Sequence, residues 1–207
     1  MASLARAQDI LLYWFGPRPY TAASIQNHTR LWFGAHAAPE LLPQADELIR
    51  ERFGDTMRAA ENGELAFWDS SPRRRLALIV LLDQFSRHFY RGTAQAYAHD
   101  HEALSLSVSG MLIGADSALD PVERIFFYMP LQHAESLDVQ EESVAAFRRL
   151  HDEAPSELHA TFDDALQAAI GHRDTIARFG RFPYRNAVLE RLNRGEEAEW
   201  LAKGGGS

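Results

Sequence analysis

Apolar residues along the chain recur with a helical period. Between Pro39 and Gly54, for example, leucine, isoleucine, alanine and phenylalanine return every three or four positions, which is the spacing of one helix face. Residues that typically begin or end helices recur along the whole length. A strict alternation of apolar and polar residues bounded by Asn-Gly or Asp-Gly turns, as in a β-hairpin, does not occur. The sequence therefore predicts an all-α protein without a sheet.

Capping residues, prolines and glycines set the predicted helix boundaries. The prediction is a single all-helical domain over residues 1–203, built of antiparallel helix pairs joined by short loops, with a flexible tail at 204–207. The predicted helices run from Ser3 to Phe15, Thr21 to Phe33, Pro39 to Phe53, Thr56 to Asn62, Ser71 to Gly92, Thr93 to Leu112, Asp120 to Met129, Ser136 to Leu150 and Pro155 to Phe179, with a short helix after Pro183.

The central predicted helix changes character halfway along its length. Its first half contains seven consecutive apolar residues, 76–82, which is typical of a helix packed in the middle of a domain. An unpaired buried polar group costs about 1–3 kcal/mol, so the polar residues of the second half require partners or solvent. These residues are Asp83, Gln84, Arg87, His88 and Arg91.

Polar residues embedded among aromatic ones occur in three segments, 81–92, 124–143 and 172–186. These segments, in this order, resemble the bacterial family known as domain of unknown function 924, and the resemblance extends to WFG at 14–16 and 32–34 and to ERFG at 51–54. It covers the chain from about Ile10 to Asn186. The resemblance implies an all-helical fold with tetratricopeptide-like helix pairs and no established activity. The chain departs from the family pattern at His88, where asparagine is expected, and at Tyr184, where histidine is expected.

The first polar segment permits a structural and a functional interpretation. Asp83 and Arg87 lie four residues apart, as do Gln84 and His88 and also Arg87 and Arg91, so two polar stripes run along the helix. The structural interpretation is an Asp83–Arg87 ion pair with side chains that cap neighbouring helices. The functional one is an anion site, in which the two arginines donate and Asp83 orients one of them.

The second segment places His133 two residues before Glu135, after Pro130. An imidazole beside a carboxylate is the minimum arrangement for general acid–base chemistry near neutral pH. We expect His133 to be the acid or base and Glu135 to orient it. The structural alternative is a histidine that bonds a backbone carbonyl or Gln140.

The third segment contains Arg178, Arg181 and Arg185 among phenylalanine and tyrosine. This composition indicates stacked and partly desolvated guanidinium groups. The available carboxylates are Asp83, Glu135 and Asp174. If every arginine is paired with a carboxylate, the segment only stabilises the fold. An arginine without a carboxylate partner would instead be an anion site.

Composition excludes several classes of function. The 207-residue chain has no cysteine and a net charge of −8, so thiolate chemistry is excluded and binding to a nucleic-acid backbone is disfavoured. No apolar run reaches the roughly 18 residues of a membrane span. The first residues predict an amphipathic helix rather than a signal peptide. We therefore expect a cytoplasmic protein.

Motifs for cofactors and metals are also missing. There is no Glu-x-x-His pair, phosphate-binding loop, dinucleotide fingerprint or nucleophile elbow. The stretch from His99 to Glu102 contains residue types that bind metal ions. Helical spacing would point its two histidines in different directions, however, and the segment is expected to be exposed. We expect neither a metal nor a cofactor.

Two functions remain from the sequence. The first is a pocket that binds a small, anionic molecule and performs acid–base chemistry; the second is a scaffold whose groove binds a peptide or protein. In the pocket, the predicted catalytic residues are His133, Glu135 and His172, and the predicted binding residues are Asp83, Gln84, Arg87, Arg91, Tyr128, Arg178, Arg181, Arg185 and Asn186.

Overall fold

The regular elements of the protein are helical. The computed structural model describes residues 5–37 and 42–205, and within these ranges it contains no β-strand, so the all-α prediction is confirmed. The helices are α1 (Ala7–Phe15), α2 (Ala22–Ala37), α3 (Leu42–Glu61), α4 (Pro72–Ile79, Val80–Phe85 and Ser86–Phe89 in succession), α5 (Asp100–Leu112), α6 (Pro121–Gln132), α7 (Leu137–Asp152), α8 (His159–Phe179) and α9 (Gly195–Ala202).

Short 3-10 turns occupy several of the connections. Two of them supply residues to the polar network at the end of α4: Ala94–Tyr97 precedes α5, and Pro183–Arg185 follows α8. The others are Ala66–Ser70, Asp116–Ala118 and Ser156–Leu158.

Helix α4 is the central helix that the apolar run predicts. Proline at its first position has a backbone angle suited to a helix start and no N–H to leave unpaired. Its middle segment, Val80–Phe85, is π-helical, a feature that the sequence does not predict. Every residue from Leu76 to Phe85 is buried.

Aromatic side chains join the helices around α4. Trp14 of α1 lies edge-on to Phe85 of α4, with ring centroids 5.5 Å apart, and equally close to Phe126 of α6. Trp32 of α2 contacts the same Phe126 at 5.0 Å. Edge-to-face pairs of this kind add about 0.5–1.5 kcal/mol beyond the apolar area that they bury. Helices α6, α7 and α8 also pack against one another.

Two predicted helix ends are wrong because burial outweighs local propensity. The glycine at position 54 predicts a helix end there, but α3 continues to Glu61 and buries Phe53 and Met57 on one face. Glycine inside a helix costs about 1 kcal/mol relative to alanine, less than the burial of either neighbour contributes. Helix α6 continues two residues past Pro130.

One further boundary and one whole helix differ from the prediction. The segment expected as one helix from Thr93 is a 3-10 turn followed by α5, which begins at Asp100. The sequence does not predict helix α9. Its apolar pattern is too short to give a periodic signal, and it packs against the 183–185 turn.

Some predicted features lie outside the described residues: Ser3 as a cap, the helix start at Pro39, and the last two residues of the tail. In the described part of the tail, the N–H groups of Gly204 and Gly205 each donate to carbonyls of α9 at 3.0 Å. The tetratricopeptide-like arrangement and the single-domain boundaries at 1 and 203 stay predictions.

Packing between α5 and α6 gives a test of the fold. A methyl group added at Gly110 would lie 2.5 Å from Cζ of Phe127 and 2.9 Å from Cδ of Arg75. Because the aromatic ring is fully buried, Gly110→Ala is expected to lower the free energy of unfolding by about 1–3 kcal/mol. Urea unfolding monitored by circular dichroism measures this change.

Gly171→Ala on α8 is the matched control. No atom outside the local helix lies within 4 Å of the added methyl group, so the variant is expected to be neutral or more stable by about 0.5–1 kcal/mol. Equal losses in both variants would contradict the close α5–α6 packing.

Candidate functional site

The candidate site is built on a carboxylate in the π-helical part of α4. Asp83 has no exposed surface, and a buried charge is tolerated only when it is paired. Its Oδ1 lies 2.7 Å from Nδ1 of His133 and 3.4 Å from Nη1 of Arg87. The amide of Gln84 donates to its other oxygen. The structure therefore brings three predicted site residues to one carboxylate.

The π-helical turn leaves backbone carbonyls that side chains then satisfy. The N–H of Ser86 donates to the carbonyl of Leu81, five residues earlier, as is usual in a π-helix. The hydroxyl of Ser86 donates to the Leu82 carbonyl at 2.7 Å, and Arg87 donates to the Asp83 carbonyl. The wide turn that carries Asp83 is thus held by polar side chains of the next turn.

His133 directly follows α6 and connects Asp83 to the surface. Because a carboxylate can only accept, Nδ1 of His133 carries the proton of the 2.7 Å hydrogen bond. Nε2 has no hydrogen-bond partner among residues 5–37 and 42–205, and the ring lines a surface cleft. In its neutral form, the ring therefore presents a lone pair to the cleft.

The electrostatic surroundings favour this protonation state. Burial, together with the charge of Arg87, lowers the pKa of His133, although Asp83 acts in the opposite direction. Burial would raise the pKa of the Asp83 carboxyl, but His133 and Arg87 outweigh it and hold this pKa below its ordinary range. At neutral pH, Asp83 is ionised and the imidazole is neutral, which is the form that accepts a proton.

The cleft has a volume of about 430 Å³ and lies between the start of α5, the end of α6 and the turn after α8. Its size falls within the range of small-molecule sites. Acidic, basic and aromatic groups face one another across it. Among the lining residues are Tyr97, Asp100, His101, His133, Glu135 and Arg185.

Asp100 in this cleft is shared by two arginines. Arg87 donates to both of its oxygens, at 2.9 and 3.1 Å, and Arg185 donates to one of them at 3.2 Å. The guanidinium carbon of Arg185 lies 4.6 Å from the ring centres of both Tyr97 and Phe182. Its buried Nε has no hydrogen-bond partner among the residues that the structure describes. Arg185 is therefore a fixed cation whose donors are only partly used.

Glu135 lines the cleft but does not orient His133, and that prediction is wrong. Its carboxylate accepts from Arg191 at 2.6 and 2.9 Å and from the backbone N–H of Phe182 at 2.8 Å. Burial would raise the pKa of Glu135, but these donors lower it overall. Asp83 holds His133 instead, while Glu135 ties the loop after α6 to the turn after α8.

His172 and Gln140 lie behind His133 rather than in the cleft. Gln140 donates to the backbone carbonyls of Gln132 and Ala134 at 2.7 and 2.8 Å, so it caps α6 and does not bond His133. The Nδ1 of His172 lies 3.0 Å from the side-chain oxygen of Gln132. The His172 ring lies 6.3 Å from that of His133, close enough to pack beside it.

Arg181 and Asn186 belong to a separate network with α9. Arg181 donates to both oxygens of Glu197, at 2.8 and 2.6 Å, and to the Leu192 carbonyl at 2.7 Å. Asn186 donates to the same carboxylate at 3.0 Å. Its Nε and Nη2 donors are occupied in this network and it does not line the cleft, so the prediction that Arg181 binds an anion in the same pocket as Arg87 is wrong. Its partner lies on α9, for which the sequence gives no signal.

The remaining predicted residues lie elsewhere. Arg91 donates to Asp46 at 2.7 and 2.8 Å, on the side of α4 that faces α3. Tyr128 donates to Asp116 at 2.5 Å, away from the cleft. Arg178 forms an exposed pair with Glu196 at 2.8 Å. None of these three lines the cleft, because a helix turns successive side chains to different faces.

Sequence reasoning missed Asp100, Tyr97 and His101 as site residues. A signal was present, since Asp100 lies within the His-Asp-His-Glu stretch at 99–102, but its polar composition indicated an exposed segment. The described residues contain no group of three or more histidine, aspartate or glutamate side chains that could hold a metal. No helix within the described ranges is long and apolar enough to cross a bilayer.

Comparison with known proteins agrees with the resemblance carried by the motifs. Residues 10–205 match the family described as "Bacterial protein of unknown function (DUF924)". A solved structure, that of the protein of unknown function ATU0120 from Agrobacterium tumefaciens, is 33% identical with a TM-score of 0.76. The match covers 96% of this chain and 97% of that one. No curated protein matches.

The depressed pKa of His133 predicts a pH dependence of stability. Below about pH 6.5, the ordinary pKa of histidine, the unfolded chain takes up a proton at this position more readily than the folded chain. The free energy of unfolding should therefore fall as the pH is lowered from 6.5, until the folded pKa is passed. His133→Asn removes this titration and should flatten that part of the profile. Urea unfolding between pH 8 and 5 measures it.

Gly171→Ala on α8 serves as the control. It changes no ionisable group and has no atom outside its own helix near the added methyl group, so it should leave the slope unchanged. A slope that is identical in the wild type and in His133→Asn would contradict the assignment of a buried, neutral imidazole.

Proposed function

The chain belongs to the bacterial DUF924 family, and for its cleft we propose a function: binding a small anionic molecule and transferring a proton to or from it. The observation that carries this proposal is the buried Asp83–His133 pair, whose imidazole lines the cleft. A base oriented by a second, ionised group behind it is a recurring arrangement in enzymes.

The chemistry assigned to His133 is general base catalysis. Its Nε2 would accept a proton from an O–H, N–H or activated C–H group of the bound molecule. The ring then becomes an imidazolium ion, and Asp83, 2.7 Å from Nδ1, stabilises the new positive charge. The same imidazolium ion can return the proton in a later step, so a single histidine supports both directions of transfer.

The anionic group of the ligand is assigned to Arg185. Its guanidinium lines the cleft and shares the Asp100 carboxylate with Arg87. Planar guanidinium donors match a carboxylate or phosphate, and stacking between Tyr97 and Phe182 holds the group in place. Arg185 and His133 both line the cleft, so one ligand of its size can contact both.

Nuclear magnetic resonance can test this proposal. We expect at least one of acetate, lactate, succinate and inorganic phosphate to give a saturable shift of the His133 imidazole signals in the labelled protein. Arg185→Lys keeps the charge but loses the planar donors, and should weaken that binding by about tenfold. His133→Gln, followed through the backbone amide signals of the cleft residues, should still bind the anion, because the anionic contact is made elsewhere in the cleft.

The matched control is Arg178→Lys, which changes an arginine of the same segment whose partner is the exposed Glu196. It should leave the affinity unchanged. The proposal fails if none of the four anions shifts the His133 signals, or if both arginine variants weaken binding equally.

A further inference from the structure

A second and larger cavity lies on another part of the surface. It is a groove of about 710 Å³ between the start of α1 and residues 65–74, which lead into α4. Its lining residues do not overlap with those of the cleft. Four arginines, Arg6, Arg18, Arg73 and Arg74, contribute to its wall.

The charges in this groove are not balanced. Arg18 and Arg73 both pair with the one carboxylate of Glu123, which has no exposed surface and also accepts from Tyr20 at 2.9 Å. Each of these two arginines keeps about 40% of its side chain exposed, at 44% and 39%. One carboxylate therefore neutralises only one of two accessible guanidinium groups.

The other two arginines add to this excess. Arg6 is neutralised by Asp9 at 3.1 Å, but Arg74 is exposed and forms no ion pair with any residue that the structure describes. The groove therefore carries about two positive charges in excess, although the chain as a whole has a net charge of −8. A concave surface lined by one sign of charge concentrates ligands of the opposite sign.

Apolar groups form the rest of the groove. Leu11, Leu65 and Trp68 are buried in the body of the protein and contribute to its lining. Phe67 also lines it and is 59% exposed, with its ring edge-on to that of Trp68 at 6.4 Å. The groove thus combines cations with an accessible aromatic surface.

From this combination we propose that the groove binds an amphipathic anion, namely a carboxylate or phosphate monoester head on an aliphatic or aromatic body. The head contacts the guanidinium groups of Arg18, Arg73 and Arg74, and the body covers Phe67. The volume of the groove is within the range of small-molecule sites. This site is independent of the acid–base cleft.

Calorimetric titration of the full chain with four octyl compounds tests the proposal. The probes are octanoate, octyl phosphate, octanol and octyltrimethylammonium, each below its micelle concentration. The two anions should bind saturably, and the neutral and cationic compounds should bind at least about tenfold more weakly. The stronger of the two anions identifies the preferred head group.

Variants locate the binding. Arg74→Glu should weaken the binding of the anions by about tenfold, and Phe67→Ala should weaken it by a similar factor through the loss of apolar contact. Neither residue forms a buried pair, so the melting temperatures should stay close to that of the wild type. Arg73 is unsuitable for this test, because its removal would leave Glu123 with one cation fewer.

Two matched controls complete the experiment. Arg148→Glu changes an exposed arginine on α7, and Leu112→Ala removes an apolar side chain that is 83% exposed; both should leave the affinity unchanged. The proposal is overturned if octanol binds as tightly as octanoate, if Arg74→Glu and Arg148→Glu have equal effects, or if neither anion binds.

Discussion

The structure depends on one ionised carboxylate buried in the middle of an apolar helix. Asp83 follows seven consecutive apolar residues of α4 and has no contact with solvent. Removing one partner from such a charge typically costs about 3–5 kcal/mol, so each partner is constrained in position. His133 fixes the end of α6, and Arg87 extends the contact to Asp100 at the start of α5. A single buried charge thereby sets the relative positions of three helices.

The π-helical turn explains how α4 accommodates the buried charge of Asp83. In a π-helix the N–H groups reach carbonyls five residues back, so carbonyls at the turn lose their usual partners. Ser86 and Arg87 supply hydrogen bonds to two of these carbonyls. Arg87 has two roles, because it satisfies the backbone carbonyl of Asp83 and also compensates its carboxylate. The polar residues after the apolar run are therefore needed by the backbone as well as by any ligand.

The sequence was sufficient to predict the helical class, the central helix, and Asp83, Arg87 and His133 as members of one polar cluster. These predictions rest on local patterns: an apolar run, helical spacing and a histidine after a helix end. Pairing could not be predicted in the same way, because it depends on where distant residues lie. Arg181 looked available only because the short helix that carries Glu197 gives no periodic signal, and Asp100 was missed because its neighbours are polar.

The proportion of arginines to carboxylates distinguishes the structural pairing of Arg181 from the two proposed anion sites. Arg181 has the Glu197 carboxylate and the Leu192 carbonyl as acceptors, so its charge and its Nε and Nη2 donors are paired within the fold. Asp100 and Glu123 are each shared by two arginines. Glu123 holds both of its guanidinium groups in place but neutralises only one, whereas Arg87 at Asp100 is also compensated by Asp83.

Arginines held in this way are preorganised for an anion. Their side chains are already ordered, so binding does not incur the full loss of rotamer freedom that an unrestrained surface arginine would suffer. Both cavities of this acidic chain contain such a pair in whole or in part. In the cleft the pair lies beside a histidine backed by Asp83, which adds a proton acceptor; in the groove it lies beside Phe67, which adds apolar contact. Arginines that share a carboxylate therefore underlie both the proposed proton transfer in the cleft and the proposed anion binding in the groove.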